Sequence, residues 1–93
     1  MASPTISLCC IMKNEIRNLK QFLESNAGCF DNIHITDTGS TDGSIEWVQK
    51  YGEEVAKCPV HLHHFKWVNS FSKARNYSFS HSTDDYIMWQ DLD

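Results

Sequence analysis

Apolar positions along the chain alternate between two spacings, and each change of spacing marks an element. Residues 6–12 are a nearly continuous apolar run, Ile6, Leu8, Cys9, Cys10, Ile11 and Met12 broken only by Ser7. Such a run fits a strand that a parallel sheet buries on both faces. Lys13, Asn14 and Glu15 end it. From Asn14, a good N-cap type, the spacing of Ile16, Leu19, Leu23 and Ala27 predicts a helix over about residues 14–27, with Gly28 as its stop and Glu15 complementing its dipole. Residues 32–37 read as a second strand. Residues 37–44 are a polar turn with Gly39 and Gly43, in which Asp42 or Ser44 can cap the next helix. That helix is predicted over about residues 44–51 with Ile45, Val48 and Trp47 inward, followed by a loop over 52–59 and a third strand over 60–65. Residues 71–81 are helical by position more than by pattern, and Asp84 and Asp85 lead into a last strand over 86–89.

Strands and helices alternate throughout, which implies right-handed crossovers and an α/β fold: an open, mostly parallel sheet of about four strands with helices on both faces. Sheets of this kind bind ligands beyond the carboxyl ends of their strands, where the strand order reverses. Lys13 to Glu15, Asp37, and Asp91 to Asp93 all fall at predicted carboxyl ends. Asp91 and Asp93 stand one residue apart after the apolar run Tyr86 to Trp89, so an extended chain can put both carboxylates on one side. Such a pair suits one hard divalent cation that also meets a substrate's phosphates.

Composition narrows the classes. A chain of 93 residues is read as a single domain, 1–93, large enough for a core. The formal net charge of -4, without a Lys or Arg run, argues against nucleic acid held by phosphate neutralisation. An anionic ligand then needs helix N-termini, a few basic residues or a metal. Cys9, Cys10, Cys29 and Cys58 lack zinc-type spacing and read as reduced thiols. No segment has the length and apolarity of a membrane span, so the protein is expected to be soluble and cytoplasmic. His61 and His63, spaced by two, could share a metal or line an exposed strand face. Trp47, Trp67 and Trp89 read as packing residues.

Four motifs occur in order: Lys13-Asn14-Glu15; Asp37-Thr38-Gly39-Ser40-Thr41-Asp42-Gly43-Ser44; Phe71-Ser72-Lys73-Ala74-Arg75-Asn76; and Asp91-Leu92-Asp93. With them the chain resembles the amino-terminal, nucleotide-sugar-binding half of a family 2 glycosyltransferase. Trp67 to Asn76 is similar to a subset of that family, with Asn69 and Ser70 where the subset often has acidic residues. The resemblance implies the glycosyltransferase A fold, a Rossmann-like sheet, and inverting transfer of a sugar from a nucleoside diphosphate donor, a UDP-sugar, with Mn2+ or Mg2+. It implies that Asp37 reads the base and that Lys13 and Glu15 line the same pocket. Arg75 and Asn76 would face base, ribose or diphosphate, and Asp91 and Asp93 would hold ribose and metal.

In the resembled family the acceptor site and the catalytic base lie beyond the metal motif. The expectation is therefore an incomplete, truncated donor half whose catalytic residue is not among these 93 positions. The alternative is a non-catalytic nucleotide-binding or protein-interaction module. Tyr86 to Trp89 would then be an apolar sheet edge, for which homo-oligomerisation through the last strand is expected.

Overall fold

The computed structural model describes residues 4–66, 73, 76, 77, 84–90 and 92. Its elements run β1 (Ile6–Met12), α1 (Ile16–Ser25), β2 (Asn32–Asp37), α2 (Ser44–Ala56), β3 (Val60–His64) and β4 (Tyr86–Trp89). These strands form one parallel sheet in the order β3-β2-β1-β4. Of the third predicted helix only Lys73, Asn76 and Tyr77 are described, each helical, and the rest of 71–81 lies outside the described residues.

Register divides the sheet into two unlike faces. Leu8 pairs with Ile33 and Cys10 with Ile35, and these residues with Met12 form one buried apolar face. Leu19, Phe22 and Leu23 of α1 and Val48 and Ala56 of α2 close over it. Both described helices thus cover the same face. A helix on the opposite face, as expected from the sequence, would fall on residues outside the described ones.

The opposite face is polar. Ser7 pairs with Asn32, Cys9 with His34, and Ile11 with Thr36, while His34 and Thr36 pair onward with His61 and His63. At its amino end the Asp84 carboxylate accepts from the Ser7 hydroxyl and, at 2.9 Å, from the Asn32 amide. Next along, His61 Nε2 meets Asn32 Oδ1 at 2.9 Å, and the buried His34 ring stacks between those of His61 and His63 with centroids 4.6 and 5.2 Å away. His34 Nδ1 and His63 Nε2 lie 3.0 Å apart, so one ring donates to the other. The two strand histidines therefore serve an imidazole stack. Among the described residues no group of three His, Cys, Asp or Glu is arranged to hold a metal.

Several predicted boundaries move, each for a local reason. Asn14 is not a helix cap: it takes a left-handed backbone, φ 54°, and its side chain bonds to another loop. The N-cap is Glu15, whose carboxylate accepts from Asn18 Nδ2 at 2.8 Å instead of serving the backbone. Helix α1 stops at Ser25, ahead of Ala27, because the buried Asn26 donates back to the Phe22 carbonyl at 2.9 Å. Helix α2 runs five residues past the predicted end, to Ala56, and the expected loop shrinks to 57–59. Gly52 is buried within α2, where a Cβ would stand 3.3 Å from Val48 Cγ1 of the same helix and 3.6 Å from Val60 Cγ1 of β3. Strand β3 ends at His64, with Phe65 N still donating to the Asp37 carbonyl at 2.8 Å. All four cysteines are free thiols, Cys9 and Cys10 buried. No helix among the described residues is long and apolar enough to cross a membrane.

Candidate functional site

A parallel sheet delivers every carboxyl end to one edge. In the order of this sheet, that edge presents His64 to Lys66 after β3, Asp37 at the end of β2, Lys13 to Glu15 after β1, and Gln90 after β4. The edge is stepped. Strands β1 and β2 run together to the Met12 and Asp37 pair, and β3 reaches the same level with His64. Strand β4 stops at Trp89, opposite Cys9, three residues short of the end of β1. The chain continues beside β1 past that point, with the Gln90 backbone amide donating to Cys9 O at 3.3 Å. The switch point lies here, since the chain grows from β1 to β2 and β3 on one side and adds β4 on the other.

Asp37 is 3% exposed. It sits in the wall of a cavity of about 300 Å³ with Thr38, Gly39, His64, Phe65 and Lys66. Its Oδ2 accepts from the Gly39 amide at 3.0 Å and the Ser40 amide at 3.2 Å, and its Oδ1 has a longer contact of 3.3 Å with Ser40 N. The turn that wraps the carboxylate needs Gly39 at φ 121°, a backbone state that side chains disfavour. One oxygen is thus used twice by the loop, and the other retains acceptor capacity.

The loops after β1 and β2 are knitted together. Thr38 donates to the Met12 carbonyl through its amide at 3.0 Å and its hydroxyl at 3.2 Å. The Asn14 amide donates to Ser40 Oγ at 2.9 Å, and Asn14 Oδ1 accepts from Thr41 N at 2.7 Å. The first amides of α1 are satisfied from the other loop, Glu15 N by Ser44 Oγ at 3.1 Å and Ile16 N by Asp42 Oδ2 at 3.2 Å. Asp42 also accepts from the Ser44 amide at 3.0 Å and from its hydroxyl. The Ser44 hydroxyl bond, opposed by slight desolvation and joined by the Ile16 and Ser44 amides, holds the Asp42 carboxyl below the usual range.

The structure therefore brings Lys13, Glu15 and Asp37 to one edge. Asn76 is exposed on a helical turn, and its neighbour Tyr77 packs on Phe65, a residue of the Asp37 cavity wall, with ring centroids 4.9 Å apart. Arg75, Asp91 and Asp93 lie outside the described residues. Their described neighbours are Gln90, whose amide donates to Cys9 O at 3.3 Å, and Leu92, which is buried in the core. Gln90 and Asn26 pair through their side-chain amides, and with Asn18, Phe22 and Leu92 they line a second cavity of about 320 Å³ between α1 and the end of β4. His64, Phe65 and Lys66 were not singled out in the sequence, although they follow a predicted strand end as Lys13 and Asp37 do. The cross-loop roles of Asn14, Asp42 and Ser44 carried no sequence signal, because their partners are 26 to 29 residues away.

The chain is similar to known proteins over nearly all of its length. The model of the family described as Glycosyl transferase family 2 matches residues 7–93. The SPbeta prophage-derived glycosyltransferase SunS of Bacillus subtilis is 32% identical over 94 residues, covering 98% of this chain and 20% of that protein. A TPR repeat-containing protein of Synechococcus elongatus is 32% identical over 92 residues, covering 99% of this chain and 21% of its own length. The chain thus spans about a fifth of the length of these curated relatives. Among solved structures, S. aureus TarS 1-349 superposes with a TM-score of 0.76 at 16% identity, over 96% of this chain and 27% of that one. The mannosyltransferase PcManGT from Pyrobaculum calidifontis, solved in complex with GDP-Man and Mn2+, gives 0.78 at 19% identity, over 100% and 28%. At such identities the likeness shows the fold alone.

Proposed function

Since this chain belongs to glycosyl transferase family 2, we propose that it is the donor-binding part of a glycosyltransferase that takes a nucleoside diphosphate sugar across the stepped edge and transfers the sugar with inversion. The observation that carries this reading is Asp37, a buried carboxylate in the wall of a cavity of about 300 Å³ at the end of β2. Uracil offers one ring N–H, and Asp37 Oδ1 is the oxygen with capacity to receive it. Guanine would bring two donors, while Oδ2 is already engaged by Gly39 and Ser40. We take uridine as the base, as the family resemblance implies, with Phe65 and His64 flanking it and Lys13, Glu15, Arg75 and Asn76 lining the rest of the nucleotide.

The diphosphate then needs countercharge. The leading amides of α1 already serve Ser44 and Asp42, so that helix terminus is not open to phosphate. Asp91 and Asp93, two carboxylates flanking the buried Leu92, are a donor set suited to a hard divalent cation, Mn2+ or Mg2+. Bound there, such a cation would neutralise the charge that develops on the leaving diphosphate. The free thiols of all four cysteines fit a cytoplasmic setting, where the donor is available.

Calorimetric titration of UDP and GDP, each with and without Mn2+, tests the reading. Mn2+-dependent binding that prefers UDP is expected, and Asp37→Asn should weaken it about tenfold or more, the worth of a hydrogen bond to a charged group. Asp91→Ala or Asp93→Ala should remove the dependence on Mn2+. No heat of binding at millimolar nucleotide with Mn2+ would overturn it. We propose in addition that β4, the outer strand among the described residues with Tyr86, Ile87 and Met88 at 60, 41 and 48% exposure, pairs with a second copy. Light scattering should then show mass rising with concentration, and a monomer throughout would exclude it.

A further inference from the structure

Asp42 stands where two helices begin. Through Oδ2 it accepts the Ile16 amide that opens α1, at 3.2 Å, and through Oδ1 the Ser44 amide that opens α2, at 3.0 Å. The Ser44 hydroxyl donates to the same Oδ1 and accepts the Glu15 amide at 3.1 Å, which makes a second bridge between the loops. Helix N-termini expose unsatisfied amides and a partial positive charge, so one carboxylate shared by two of them draws both toward itself. On the other side of the crossing, Asn14 and the 40–41 backbone and hydroxyl bond reciprocally.

The two loops joined in this way carry different parts of the nucleotide site. Lys13 and Glu15 belong to the β1 loop, and Asp37 ends β2 with its carboxylate held by Gly39 and Ser40 of the loop that follows. Loops free to move independently would have to be ordered against one another on binding, at the expense of affinity. We propose that Asp42 is a positioning residue of the nucleotide site, whose carboxylate locks the Asp37 loop to the Lys13–Glu15 loop without contacting the nucleotide. This rests on the nucleotide-binding reading above. Ser44 is the second member of the lock, fully buried between the loops.

The lock predicts a graded result. Asp42→Ala removes both acceptors and should weaken Mn2+-UDP binding about tenfold, in the range by which residues off the ligand modulate a site. Asp42→Asn keeps one acceptor oxygen, can serve one of the two helices, and should fall between Ala and the native protein. The readout that separates positioning from a general loss of stability is the coupling between the loops. In the native background Lys13→Ala and Asp37→Asn should be non-additive in UDP affinity, and in the Asp42→Ala background they should become additive. Unchanged UDP affinity in Asp42→Ala, or coupling that persists there, overturns the proposal. Absence of binding by the native protein is a different result, which overturns the nucleotide reading itself. Should Asp42→Ala fail to fold, Ser44→Ala removes the hydroxyl bridge and leaves Asp42 in place. Weaker binding with reduced coupling is then expected, and native-like binding overturns the lock.

Discussion

The Thr36 hydroxyl is buried on the polar sheet face with no hydrogen-bond partner among the described residues. A buried unpaired hydroxyl is a net liability, and valine has nearly its shape. Thr36→Val should raise the free energy of unfolding by about 1 kcal/mol in urea titration; a lower stability would mean that the hydroxyl is paired after all. Asp84 on the same face has the opposite character. Its hydrogen bond from the Ser7 hydroxyl, opposed by desolvation and helped by Asn32, Thr5 and the nearby His34 charge, lowers its pKa. A carboxyl depressed on folding stabilises the protein fully above its unfolded value, roughly 3.9, and loses that contribution as pH falls through the lowered folded value. Thermal melts from pH 5 downward should therefore show a drop below about pH 4 that is shallower in Asp84→Asn. At this scale the sequence placed Asp37 at a strand end ahead of a glycine turn, where its carboxylate indeed accepts the Gly39 and Ser40 amides. It did not disclose Asp42, Asn14 or His34, whose partners come from other strands and loops.

Elements were legible in proportion to how strongly their own residues decide them. Strands β1 and β2 lie where their apolar runs place them, since a strand buried in a parallel sheet has little choice of register, and β4 covers its own apolar run at the exposed side of the sheet. Helix ends were less legible because tertiary contacts set them. Asn26 closes α1 through Phe22 and Gln90, and Gly52 of α2 packs beside Val60 of β3. Gly52 gives this a direct test. Alanine gains about 1 kcal/mol of helix propensity but must push against Val48, so Gly52→Ala should leave the melting temperature nearly unchanged. Gly52→Leu cannot be accommodated under Val60 and should cost about 1 to 3 kcal/mol or more. Equal stability of the two variants would mean that β3 does not press on the helix.

At the scale of the molecule, the alternation of elements predicted the parallel sheet, and the carboxyl-end rule pointed to the edge where Lys13, Glu15 and Asp37 stand together. The step in that edge was not legible, because it depends on how β4 slides along β1, and the two sequences alone do not fix that offset. The same pairing governs the order in which the fold can assemble. Ser7 meets Asn32 after a closure of 25 residues, whereas Ile6 meets Tyr86 only after 80. The longer closure costs about 1 kcal/mol more chain entropy, and on a ribosome β4 emerges after β1 to β3. Strands β1 to β3 with α1 and α2 can thus form a half-built sheet that waits for its fourth strand. Residues 91 and 93 follow that strand directly, so the metal site proposed for them would form only after β4 has docked beside β1, and later than the Asp37 cavity.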